Sequence, residues 1–76
     1  MTLFEGKIGV KYRILHINLD DKVKRRLEIL GMTNNSVVSI INRKRAGALI
    51  INIRGTRFAI GKNYAKCIKV GGIYNE

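Results

Sequence analysis

Chemistry at a reactive centre needs groups that this sequence barely supplies. It contains one histidine, His16, one cysteine, Cys67, and five acidic residues, Glu5, Asp20, Asp21, Glu28 and Glu76. No acid and base pair, and no nucleophile with its own base, can be assembled convincingly from that set. A tight metal site wants three or four convergent ligands, and these residues show no ligand spacing. The expectation is a protein that is not an enzyme and holds neither metal nor cofactor. A lone thiol excludes an internal disulfide, so nothing points to an oxidising compartment and the cytoplasm is the expected location. No apolar run approaches the roughly 18 residues that would span a bilayer, and Met1-Thr2-Leu3-Phe4-Glu5-Gly6 lacks the basic-then-apolar order of an export signal. Proline and tryptophan are absent altogether, so no proline breaks the elements described next.

What is abundant is aliphatic and basic. Hydrophobic residues make up 46% of the 76, mostly Ile, Val and Leu, the types that fill sheets. One small domain over residues 1–76 is expected, with a core from about residue 6 to 70 and a frayed tail over 71–76. Fifteen Lys and Arg give a net charge of +10, and no acid stands between Glu28 and Glu76. Nucleic acid, an anionic membrane surface and an acidic protein face are the partners such a charge admits, and charge alone does not choose among them.

The apolar period changes once, around Arg25-Arg26-Leu27-Glu28-Ile29-Leu30-Gly31-Met32. Val23, Leu27 and Leu30 lie at i, i+4 and i+7, the stripe of a helix facing a core. Asp20 reads as its N-cap and Asp21 as a first-turn carboxylate. Gly31 reads as the left-handed residue that stops it, with Leu30 as C-cap and Leu27 and Met32 as the hydrophobic pair of a Schellman motif.

Everything else reads as strand. Val10, Tyr12 and Ile14 alternate with Lys11 and Arg13, then Leu15 and Ile17 take the other parity, so a bulge near Ile14-Leu15 is expected. After a polar turn over Thr33 to Ser36, Val37 to Asn42 is apolar on both parities, as in a strand covered on both sides or one in a small closed barrel. Arg43 to Gly47 is a loop; Leu49, Ile51 and Ile53 mark a third strand, and Gly55-Thr56 turns into a fourth with Phe58 and Ile60. Lys62 to Ala65 is expected to form one 3₁₀ turn before a short last strand with Ile68 and Val70 inward. The lone Cys67 is expected to be a small core residue.

The basic residues admit two readings. Arg54, Arg57, Lys62, Lys66 and Lys69 can form a phosphate-binding stripe, or they can be gatekeepers that keep Val37-Val38-Ser39-Ile40-Ile41 and Leu49-Ile50-Ile51 soluble.

Arg26-Leu27-Glu28-Ile29-Leu30-Gly31-Met32 resembles the Arg-Leu-x-x-Leu-Gly-Leu/Met signature of the FeoA family of bacterial ferrous iron transport. Val38 and Ile40, Arg43 with Gly47, Ile51 through Ile60, and Ala65 through Val70 continue that family's pattern in order. Asn34-Asn35 replaces its common Pro-Gly, Lys44 to Ala48 replaces a Pro-rich loop, and Ile60-Gly61 replaces Leu-Arg. The resemblance implies a mainly β, five-stranded SH3-like barrel with one α-helix between strands 1 and 2, related to the C-terminal domain of iron-dependent repressors. It also implies an accessory interaction module whose partner is the cytoplasmic, GTPase-bearing region of the membrane transporter FeoB. A basic SH3-like nucleic-acid-binding domain is the alternative. The candidate partner-binding residues are Arg25, Arg43, Lys44, Arg45 and Gly47: Arg25 lies off the helix stripe, and the basic triplet has no acid nearby in sequence to neutralise it.

Overall fold

A computed structural model describes residues 1–72. Asp20 starts the helix as its chemistry dictates: the carboxylate accepts from the Val23 N–H at 2.9 Å, and helix α1 runs over Asp21–Ile29. At the other end Leu30 is the C-cap and Gly31 has φ +103°. The Gly31 N–H donates to the Glu28 carbonyl and the Met32 N–H to the Leu27 carbonyl, both at 2.9 Å, which is the complete Schellman pattern. Ser36 reinforces the stop from the following turn, donating its hydroxyl to the Gly31 carbonyl at 3.0 Å. Asn35 takes the positive φ in that turn, at 72°.

The strands are β1 (Lys11–Ile17), β2 (Val37–Arg43), β3 (Leu49–Ile53), β4 (Thr56–Ile60) and β5 (Ile68–Gly72). They form one antiparallel sheet in the order β4-β3-β2-β1-β5. Alternate residues of the strands turn inward, with the parity of β1 switching once, and Tyr12, Ile14, Ile17, Val38, Ile40, Leu49, Ile51, Ile53, Ile60, Ile68 and Val70 are all buried in a single core. Five strands can share one core on one face only if the sheet curls round it, which is the barrel the patterning calls for. The β1 bulge falls between Ile14 and His16, so Ile14 and Ile17 both point inward while Leu15 stays out and lies over Gly71. A second register shift, between Ile40 and Asn42, leaves Ile41 on the outer surface.

Five expectations are corrected. Residues before Gly6 are structured: a 3₁₀ turn over Leu3–Glu5 buries Leu3 completely, and the Glu5 carboxylate accepts from the Thr2 N–H at 2.7 Å. Gly6 is buried as well, and a Cβ there would come within 2.5 Å of Ile40 Cδ1, so bulk alone restricts this position. Lys62–Ala65 is a single α-turn, α2, because Ala65 and Lys66 donate to Gly61 and Lys62, four residues back. The β3–β4 turn centres on Arg54 and Gly55, both at positive φ, one residue earlier than expected. Gly71 and Gly72 belong to β5, paired with Arg13 and Tyr12, so they are strand and not tail; the rest of the expected tail, 73–76, lies outside the described residues. Cys67 is half-buried.

Candidate docking surface

Helix α1 touches the core through Leu27, 7% exposed, with Val23 partly buried beside it. Leu30, expected to face the core, is 40% exposed. The stripe is apolar, but it overhangs β4 instead of sealing against it. Between them lies a cleft of about 200 Å³ lined by Val23, Arg26, Leu27 and Leu30 of α1, by residues 58–61 of β4 and its end, and by Tyr64 of α2. Phe58 is partly buried against the core, and Tyr64 is 44% exposed. Arg26 is the cation among these walls.

Tyr64 and Gly61 also line a second, more open depression with Ala46, Lys62 and Asn63. The β2–β3 loop reaches this place through Gly47, at φ +99°, whose backbone packs on the aliphatic stem of Lys62. The loop is closed by Lys44 N–H to Ala48 carbonyl at 2.8 Å and Gly47 N–H to Lys44 carbonyl at 2.9 Å. Tyr64 therefore joins the helix cleft to the basic loop.

The sequence-derived candidates separate into three groups. Lys44 and Arg45 are exposed at the loop, and Gly47 seats that loop on α2. Arg25 is exposed on α1 but does not line the cleft; its neighbour Arg26 does. Arg43 is engaged internally: its Nη2 donates to the Phe4 carbonyl at 2.9 Å and to the Gly6 carbonyl at 2.8 Å, and its guanidinium stands 5.0 Å from the centre of the Phe4 ring. Lys66 Nζ stands over the same ring at 5.1 Å. Arg26, Phe58 and Tyr64 were not singled out for the surface by sequence reading; Arg26 was recoverable, since with Val23, Leu27 and Leu30 it completes i, i+3, i+4 and i+7. Among the described residues no three His, Cys, Asp or Glu side chains gather where they could hold a metal ion, and no helix is long and apolar enough to cross a membrane.

The FeoA domain model matches residues 1–71 of the chain. The solution structure of FeoA from Chlorobium tepidum superposes with a TM-score of 0.92 at 23% identity, covering 100% of this chain and 73% of that one. The zinc-complexed FeoA of Stenotrophomonas maltophilia, described as a procaryotic SH3 domain protein and put forward as a ferrous iron transport activating factor, has a TM-score of 0.74 at 27% identity, over 92% of this chain and 88% of that one. A manganese-dependent transcriptional repressor matches at a TM-score of 0.86 and 20% identity, over 96% of this chain but 41% of its own. Comparison with curated proteins found no match. The fold is SH3-like, with α1 inserted between the first two strands.

Proposed function

The chain belongs to the FeoA domain family, and from that premise we propose that it is an accessory docking module of ferrous iron uptake, acting on the cytoplasmic, GTPase-bearing part of a FeoB-type membrane transporter. The observation that carries this reading is the cleft between α1 and β4. A small domain normally seals its helix stripe against the sheet, yet Leu30 and Tyr64 remain substantially exposed around a groove with apolar walls. Such a groove, flanked by Arg26 and Lys62, suits a protein surface that brings an apolar anchor and carboxylates. Exposed cations on α1 and the β2–β3 loop steer an acidic partner toward it.

The test is retention of the transporter from detergent-solubilised native membranes on the immobilised protein, followed by titration with its purified cytoplasmic part. Saturable one-to-one binding is expected, weakened at least about tenfold by Leu30→Glu with Tyr64→Glu, both being exposed positions whose charge desolvates badly in an apolar contact. Failure of the transporter to bind, with the protein folded, overturns the reading.

A further inference from the structure

The two edges of the sheet are treated differently. At β5 the Val70 N–H donates to the Met1 carbonyl at 2.9 Å and Lys69 bridges to Thr2, so the N-terminal residues cover that edge. At β4 the pairing with β3 accounts for one side of the strand, and among the described residues no further backbone or side-chain hydrogen bond reaches Thr56–Ile60. Among the described residues, the groups on the other side of β4 have no partner.

That open side faces the cleft. Phe58, Ala59, Ile60 and Gly61 line it consecutively. Side chains of successive strand residues point to opposite faces of a sheet, so consecutive lining means that the cleft runs along the backbone edge of β4. Its opposite wall is the helix stripe of Val23, Arg26, Leu27 and Leu30. An unguarded edge beside an apolar trough is the geometry of strand addition, in which main-chain hydrogen bonds hold an extended segment and alternate side chains fill the trough.

We propose that β4 receives an extended acidic segment of a protein partner as an added strand, with alternate apolar side chains of that segment seated between α1 and Tyr64. Charge selects the occupant. Arg26 lies in the trough, Arg57 is exposed on β4 and Lys62 adjoins it, while no acid occurs between Glu28 and Glu76. Carboxylates on the residues that face outward meet Arg57, and one at the end of the segment can reach Arg26 on the trough wall. A second copy of the chain would set its own Arg57 and a net charge of +10 against the same on its neighbour, so the edge is guarded against self-pairing while staying open to an acidic strand.

This rests on the docking reading, and two titrations of the isotope-labelled protein separate them. The first adds a short synthetic peptide alternating valine with glutamate. Binding is expected to shift the backbone amides of Arg57 to Ile60 and to slow the hydrogen exchange of those that point away from β3. N-methylation of the peptide's pairing nitrogens should weaken binding at least about tenfold, because each removes a main-chain donor. Equal binding by the N-methylated peptide, or changes confined to α1 and Tyr64, overturns strand addition. The second adds the purified cytoplasmic part of the transporter. If it binds without altering the β4 amides, docking stands and strand addition is wrong. If the peptide pairs with β4 but the transporter part does not bind, strand addition stands and the docking reading fails.

Discussion

At Gly31 a single position decides whether α1 ends where the turn requires. Its φ of +103° is one that a β-branched residue resists whatever the space, and an added Cβ would sit 3.1 Å from Cδ of the exposed Arg54, which must give by a few tenths of an ångström. Gly31→Val should cost on the order of 1–2 kcal/mol from the left-handed conformation alone, lowering the melting temperature by several degrees or more in a domain this small. An unchanged thermal melt by circular dichroism would mean that the helix stop tolerates another geometry. Arg43 poses the opposite question, since its charge serves the fold before it can serve a partner. Its Nη2 joins the end of β2 to the Phe4 and Gly6 carbonyls while the guanidinium covers the Phe4 ring. Arg43→Ala should destabilise by about 1–3 kcal/mol, the range for hydrogen bonds to a charged group discounted for partial exposure. Arg43→Lys should recover only part of this, because an ammonium cannot reproduce the planar fork. Urea midpoints at constant m-value are the measurement. A lysine variant as stable as the native protein would show that charge, and not the fork, is what the site uses.

Among the elements, the N-terminal turn is where packing exceeds what periodicity reveals. Leu3 is fully buried, and Leu3→Ala should cost about 2–5 kcal/mol, measurable as a lower denaturation midpoint in urea. A cost below about 1 kcal/mol would place the turn outside the cooperative unit. A single leucine has no period, so only the Thr2-x-x-Glu5 spacing hinted at structure there, and the two glycines that follow disguised it. By contrast, α1 and the strands were legible because their signals repeat: the stripe, the N-cap, the stop at Gly31 and the parity change at Ile14-Leu15 each appear in the structure. The α-turn of α2 differs from a 3₁₀ turn by which carbonyl one N–H meets, a choice set by how the chain returns from β4 to β5. The cleft was only half legible. A stripe tells which face of α1 is apolar, not how closely β4 approaches it, so the pattern alone places Leu30 in the core while the structure leaves it 40% exposed. Likewise the basic triplet is visible as charge, but the acceptors that engage Arg43 lie 39 and 37 residues away in sequence.

For the whole molecule the governing quantity is a charge of +10 on a surface whose carboxylates are few and partly committed, Asp20 to the start of α1 and Glu5 to the N-terminal turn. Any affinity for duplex DNA should therefore come from counterion release and fade steeply between low and physiological salt, without preference among sequences. Sequence-selective binding that survives about 0.2 M salt would revive the nucleic-acid alternative. The same charge acts on a protein partner differently from the cleft. Arg25, Lys44 and Arg45 are exposed and lie outside the cleft walls, so their contribution is to encounter, whereas Leu30 and Tyr64 would be covered in the complex. Exchanging all three cations for glutamate lowers the net charge from +10 to +4 without touching the core. The variant should melt as the native protein does, yet associate more slowly with the transporter's cytoplasmic part, and most of the difference should vanish as salt screens it. Stopped-flow association at several ionic strengths, alongside iron uptake in cells lacking the native copy, separates the two contributions. If the triple variant associates at the native rate at low salt and restores uptake fully, the cationic face has no part in docking, and the outer sheet residues Val37, Ile41 and Ile50 become the surface to test.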